Sequence, residues 1–264
     1  MVVTDGPDAT DGPDALTALL AGAGFVAAED EARELLGQAH GDPEVLGSLV
    51  ERRMTGEPLA WIIGSSSFCG VQIQVDPGVY VPRWQSEPLA LRAVERLPPH
   101  GSAIDVCTGA GAIAKILATR RPDARVVATD LDERAVACAS SNGVECYPGD
   151  LFAPLPRRLE REVDVVVGVV PYVPTEALGY LARDTFEFES SLSFDGGPGG
   201  TQILRRVLVD TLRFLKRGGA LLLELGGEQA DELADDLHVL GYTDPSLLRD
   251  EDGDVRGIET TLGH

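Results

Sequence analysis

Hydrophobic and polar positions change period along this chain. From residue 15 to 56 the apolar residues recur at helical spacing: Leu16, Leu19 and Leu20 share one face, and Leu35, Leu36 and Ala39 another. Gly41-Asp42-Pro43 interrupts them, with Pro43 suited to the first turn of a new helix. The period then shortens to two. Val71, Ile73 and Val75 alternate with polar residues, Asp76-Pro77-Gly78 turns the chain, and Val79-Tyr80-Val81 returns, which predicts a β-hairpin ended by Pro82-Arg83. A helix is expected over 86–97. Strands are expected at 102–107, 124–129, 143–147 and 163–169, then a long loop with one helical piece at 175–183. A helix over 199–216 would end at Gly218-Gly219, followed by a strand at 220–225, a helix at 228–240 and strands at 242–249 and 256–262. Alternating strands and helices predict an α/β fold: a doubly wound, mostly parallel sheet covered on both faces, with an antiparallel pair of strands at its C-terminal edge.

The organisation read from this pattern is a disordered tail over 1–14, where Asp-Gly-Pro-Asp occurs twice, a small helical domain over 15–66, a hairpin linker over 67–84 and the α/β domain over 85–264. A hydrophobic content of 44% suffices for a core. The net charge is −21, from 43 acids and 22 bases, which argues against general binding to nucleic acid phosphates. Cys69, Cys107, Cys138 and Cys146 lack paired metal-ligand spacing and read as reduced thiols, and no metal is expected. No apolar run reaches membrane-spanning length and no signal peptide is evident, so a cytoplasmic protein is expected, monomeric by default.

The candidate chemistry lies where the first parallel strands end. An apolar strand runs into Asp105, then Cys107, Thr108 and a Gly-x-Gly turn at Gly109 and Gly111, then an apolar helix. The next strand ends on Asp130-Leu131 and a third apolar run on Asp150-Leu151. This order builds a nucleotide-shaped pocket at the carboxyl ends of the strands. Glycines let backbone approach a ligand, Asp130 is placed to accept from ribose hydroxyls, and Asp150 from an adenine amino group. Three readings compete: a plain turn capped by Asp105, a nicotinamide dinucleotide, and S-adenosylmethionine. A carboxylate four residues before the turn repels a pyrophosphate but attracts a sulfonium and an ammonium, so Asp105 weighs for S-adenosylmethionine. The plainer reading of Asp130 is a helix cap, a role Asp132 can fill instead.

Further motifs occur in order: Gly56-Glu57-Pro58-Leu59-Ala60-Trp61-Ile62-Ile63-Gly64, Phe68-Cys69-Gly70, Val75-Asp76-Pro77-Gly78-Val79, Pro82-Arg83 with Glu87, Gly149-Asp150-Leu151-Phe152, Asp195-Gly196-Gly197 before Gly200, and Gly218-Gly219 followed by Leu223-Glu224 and Gln229. With the glycine loop, this set resembles the HemK/PrmC-type protein-glutamine methyltransferases, which methylate a glutamine amide in translation release factors. The resemblance covers nearly everything after about residue 20. It implies a helical N-terminal module, a hairpin linker and a Rossmann-like methyltransferase domain that uses S-adenosylmethionine.

The chain departs from that family where the acceptor binds. The family signature Asn-Pro-Pro-Tyr reads Val169-Val170-Pro171-Tyr172 here. In the family, the Asn side chain holds the substrate amide, and an adjacent carbonyl accepts a second bond. An amide nitrogen is a poor nucleophile that must be oriented at the methyl group. Val169 lacks the polar side chain for this, while the Val170 carbonyl and the Tyr172 ring remain. Trp84-Gln85-Ser86 stands where the family has Pro-Glu-Thr, Cys107 replaces a Gly, Ala110 replaces a common Ser, and Ser190 replaces a Pro after Glu189. Arg83 and Glu87 are read as capping the next helix or pairing with each other. The expected function is therefore methyl transfer to an acceptor other than the standard release-factor glutamine, on a protein or a small molecule. A non-catalytic S-adenosylmethionine-binding partner protein and a nicotinamide-dependent oxidoreductase are the alternatives.

Overall fold

The computed structural model describes residues 12–180, 188–250 and 252–263. The chain divides into two compact units, Met1–Ser65 and Ser66–His264. In the first, helices Pro13–Gly22, Ala28–Ala39 and Pro43–Met54 precede one short helix, Leu59–Ile63. Asp42 caps the third helix by accepting from the N–H groups of Glu44 and Val45, with Pro43 in the first turn. Leu16, Leu20, Leu35, Leu46 and Val50 form the core of this unit. The nearly buried Arg53 guanidinium makes two bonds to the Glu31 carboxylate, at 2.6 and 3.0 Å, and lies 3.9 Å over the Phe25 ring. Helix begins at Pro13, inside the segment expected as tail; residues 1–11 of that tail lie outside the described residues.

Strands β1 (Ser65–Phe68) and β2 (Val71–Gln74) form a two-stranded sheet. Cys69 and Gly70 between them have φ of 49° and 74°, the paired positive values of a tight hairpin turn. The hairpin is thus one arm earlier than expected. Asp76-Pro77-Gly78 does turn the chain, with the Val79 N–H donating to the Asp76 carbonyl at 3.1 Å, but 79–81 is not a strand. The Val81 N–H donates instead to the Glu189 carboxylate at 3.0 Å, and Pro77 and Pro82 have no donor to give a ladder.

The main sheet contains β3 (Ser102–Val106), β4 (Arg125–Asp130), β5 (Glu145–Pro148), β6 (Val163–Gly168), β7 (Leu215–Glu224), β8 (Tyr242–Arg249) and β9 (Val255–Leu262). Its order is β5-β4-β3-β6-β7-β9-β8; the first five are parallel, and β9 runs antiparallel to both β7 and β8. Strand order reverses between β3 and β6, and a crevice at the carboxyl ends is expected there. Val163, Val165, Val166 and Val167 of β6 are all fully buried, as a central strand covered on both faces requires.

Two expected elements differ. The helix expected over 199–216 runs only Gln202–Thr211. Leu215 already pairs with Val163, and the register then jumps to Val165 opposite Ala220, so Lys216–Gly219 form a bulge in β7. Gly218, at φ 78°, serves that bulge rather than a helix end. The helix expected over 228–240 is split at Leu233 into Gln229–Glu232 and Ala234–Val239. The helical piece expected at 175–183 is a 3-10 segment over Thr175–Tyr180, and its remainder lies outside the described residues.

Candidate active site

The loops after β3, β4, β5 and β6 open onto one cavity of about 630 Å³. Asp105, near the end of β3, is buried and fastens the first loop. Its Oδ2 accepts from the Thr108 hydroxyl at 2.6 Å and from the Ala114 N–H, in the helix Ala112–Arg120, at 3.0 Å. The loop capping weighed above is therefore real, and it occupies one carboxylate oxygen. Burial pushes the Asp105 carboxyl up to about 7 against the opposing pull of Thr108 and Ala114.

Asp130 ends β4 and ties two loops together. Its carboxylate accepts from the Gly109 N–H at 2.8 Å and the Asp132 N–H at 2.9 Å, and burial raises its pKa. Asp132 caps the next helix, Glu133–Ser141, by accepting from the Arg134 N–H. Leu131 beside it presents an exposed apolar side chain to the cavity. Cys107 and Gly109 have φ of 56° and 55°. Cys107 thus carries a side chain in a conformation suited to glycine. Burial, then the carboxylates of Asp130, Asp105 and Asp150, push its thiol well above the usual range.

Gly111 is set apart from the rest of the loop: it does not line the cavity. A Cβ there would lie 2.9 Å from the Ala139 Cβ and 3.1 Å from Val144 Cγ2, so this glycine serves packing against the neighbouring helix. Asp150 and Leu151 line the cavity, but the exposed Asp150 carboxylate is held by Arg206 at 2.6 Å. Asp105, Cys107, Thr108, Gly109, Asp130, Leu131, Asp150 and Leu151 thus all line this cavity.

The opposite end is built by the segment after β6. Val169, Val170, Pro171 and Tyr172 all line the cavity, with Val169 partly exposed and Val170 buried. Tyr172 is held at both ends. Its hydroxyl donates to Glu224 Oε1 at 3.0 Å, and its carbonyl accepts from Gln229 Nε2 at 2.7 Å. Ser86 donates its hydroxyl to Glu224 Oε2 at 2.5 Å. Burial raises the Glu224 pKa while the Ser86 and Tyr172 hydroxyls oppose it, and burial likewise drives the Tyr172 phenol upward. Gly200, at φ +73°, permits this arrangement: a Cβ there would lie 2.1 Å from the Tyr172 carbonyl oxygen.

Arg83 and Glu87 neither pair with each other nor cap by side chain. Arg83 donates to Glu189 at 2.6 Å and lies 5.3 Å over the Tyr80 ring, which meets Phe194 edge-on at 5.6 Å; Glu87 accepts from the Cys69 N–H at 2.8 Å. Tyr80, Gln85, Ser86 and Phe194 also line the cavity, and the sequence marked none of them as a site residue because they sit in irregular segments or a single 3-10 turn. Among the described residues no cluster of His, Cys, Asp and Glu could hold a metal ion, and no helix is long and apolar enough to cross a membrane.

Residues 74–158 match the family model described as the methyltransferase small domain. The chain is 32% identical to a release factor glutamine methyltransferase of Geobacter sulfurreducens over 84% of this chain and 80% of that relative. A protein of the same description from Mycolicibacterium smegmatis is 31% identical over 94% of this chain and 95% of its own. The solved ribosomal protein L11 methylase from Lactobacillus delbrueckii subsp. bulgaricus superposes with a TM-score of 0.52 at 18% identity, covering 73% of this chain and 86% of that one, a likeness of fold. Neither the nicotinamide reading nor the non-catalytic reading is favoured by such relatives. The chain belongs to the release factor glutamine methyltransferase family and is an S-adenosylmethionine-dependent methyltransferase.

Proposed function

We propose that this methyltransferase acts on an acceptor other than the glutamine for which its relatives are named. The observation that carries this is Val169, at the mouth of the strand β6 loop and on the same cavity as Asp105, Asp130 and Tyr172. In this reading Asp105, Cys107, Thr108, Gly109, Asp130, Leu131, Asp150 and Leu151 form the wall that holds S-adenosylmethionine, with Gly111 shaping the loop.

The residues fit a cationic ligand. The buried Asp105 carboxylate has one oxygen engaged by the loop and one left over, Asp130 lies beside it, and Leu131 offers an apolar face for a base. When bound, the cofactor supplies a methyl group on a sulfonium whose leaving group is neutral, so little acid–base help is needed. The protein's task is orientation. Val170, Pro171 and Tyr172 shape the acceptor end, and Val169 gives it an aliphatic side chain in place of a hydrogen-bonding one. Loss of one oriented polar contact of this kind costs about 10²–10³ in rate. A primary amide that relied on position 169 for a hydrogen bond would also leave a polar group unpaired against Val169, at about 1–3 kcal/mol. The acceptor is a protein side chain or a small molecule.

Methyl-labelled S-adenosylmethionine tests this. Purified protein is incubated with a source extract lacking its gene and, separately, with a purified bacterial release factor. The expected result is label in a fraction of the extract, little in the release factor, and at least a tenfold gain on the release factor for Val169→Asn. Rapid labelling of the release factor by the unaltered protein overturns the proposal.

A further inference from the structure

The Glu224 carboxylate joins two segments far apart in the sequence: Ser86 bonds one oxygen and Tyr172 the other. The single turn Trp84–Ser86 is thereby clamped beside the acceptor end of the cavity. Gln85, the middle residue of that turn, lines the cavity, and its amide oxygen is buried without a hydrogen-bond partner. Its neighbours are otherwise provided for: Ser86 is spent on Glu224, and Arg83 on Glu189. A buried amide oxygen without a donor carries the desolvation penalty of an unmade hydrogen bond, which an incoming donor removes. The terminal torsion of a glutamine is soft, so its carboxamide can turn toward such a donor without leaving a rotamer well.

The charges nearby narrow the donor. Glu224 receives hydrogen bonds from two neutral hydroxyls, and Arg256, which also lines the cavity, is paired with Asp250 and Asp254. An acceptor group entering here meets a carboxylate and an unpaired amide oxygen, a setting that repels an anion and welcomes N–H. We propose that Gln85 is an acceptor-binding, specificity-determining residue of this enzyme, its carboxamide oxygen accepting an N–H from the incoming acceptor. This rests on the reading of residues 169–172 as the acceptor end. It places the polar contact on the turn before the helix Glu87–Arg96 rather than at Val169.

The test does not require the natural acceptor. Full-length protein saturated with S-adenosylhomocysteine is titrated with propanamide, propylammonium and propanoate, and the side-chain amide resonances of Gln85, assigned by their loss in Gln85→Met, are followed. Propanamide and propylammonium are expected to shift them saturably and propanoate to leave them in place. Gln85→Met, of similar volume, is expected to weaken binding of the first two at least tenfold while S-adenosylhomocysteine affinity stays within twofold. No saturable shift, equal binding of propanoate, or undiminished binding by Gln85→Met overturns the proposal. Because this readout is binding, it is independent of methyl transfer: label on the release factor with Gln85-dependent propanamide binding defeats only the acceptor reading above. Label in the extract with binding unaffected by Gln85→Met defeats only this one.

Discussion

The two ends of the cavity are built by different means. The end proposed to hold the cofactor is fastened largely through backbone groups: Gly109, Asp132 and Ala114 donate main-chain N–H bonds to two carboxylates. Those donors persist whatever side chain the loop carries, so Cys107 stands there with the bonds intact. The acceptor end is fastened by side chains, Ser86 and Tyr172 on Glu224 and Gln229 on Tyr172. In the proposed reading a single replacement there, such as Val169, removes a hydrogen-bonding side chain. A site made of backbone donors and a few acids tolerates drift; a site made of side-chain pairs changes its specificity by drift.

Substitutions at each end should therefore give separable losses. The largest effect is expected for Asp130→Ala, which frees the Gly109 and Asp132 N–H groups together. Two bonds to a charged acceptor are worth about 3 kcal/mol or more, so S-adenosylhomocysteine affinity should fall by over a hundredfold in calorimetry. Glu224→Gln should do the reverse: methyl transfer drops roughly tenfold, through one weakened charge-assisted bond, while cofactor affinity is unchanged. Equal losses of both quantities in either variant would dissolve the distinction between the ends.

The pH dependence sharpens it. With Asp105 raised to about 7, a cationic ligand should bind several-fold more weakly at pH 6 than at pH 8, and Asp105→Asn should flatten the profile. The stability contribution has the opposite sign. A carboxyl whose folded pKa lies above its ordinary value of 3.8 keeps its proton more firmly in the native state, so stability falls as pH rises from about 4 to about 7 and is level above that. A melting series in that window, with and without ligand, reads both. The smallest effect is expected for Arg206→Ala. Its pairing with Asp150 is about half exposed on both sides, at 44% and 51%, and such pairs contribute about 0–1 kcal/mol. Cofactor affinity should change by less than about fivefold.

Much of this was legible in the chain. Apolar runs ending on Asp105, Asp130 and Asp150 mark three parallel strand ends, and their cavity follows from strand order. The hairpin lies one arm earlier than the pattern predicts because β1 reads Ser65-Ser66-Ser67-Phe68, which has no apolar alternation to mark a strand, and the Cys69-Gly70 turn closes it. The helix expected to reach residue 216 stopped at Thr211 because Phe214 and Leu215, apolar at helical spacing, are both fully buried and Leu215 already belongs to the sheet. Asp150 pairs with Arg206, a contact between residues 56 apart. Partners of Arg83 and Tyr172 escaped for the same reason. Local pattern reports which face is buried, not which distant side chain lies opposite.

The Glu224 bridge also has a consequence for assembly. The Gly109–Asp130 bond closes 21 residues, whereas the Ser86–Glu224 bond closes 138. By loop-closure scaling the longer link costs roughly 1.7 kcal/mol more chain entropy to form. On the ribosome, the loops of Asp105, Asp130 and Asp150 are all synthesised well before residue 224 is added. The end proposed to take the acceptor is therefore completed after the end proposed to hold the cofactor, and a chain halted before strand β7 carries the loops of Asp105, Asp130 and Asp150 without the Glu224 bond to Tyr172.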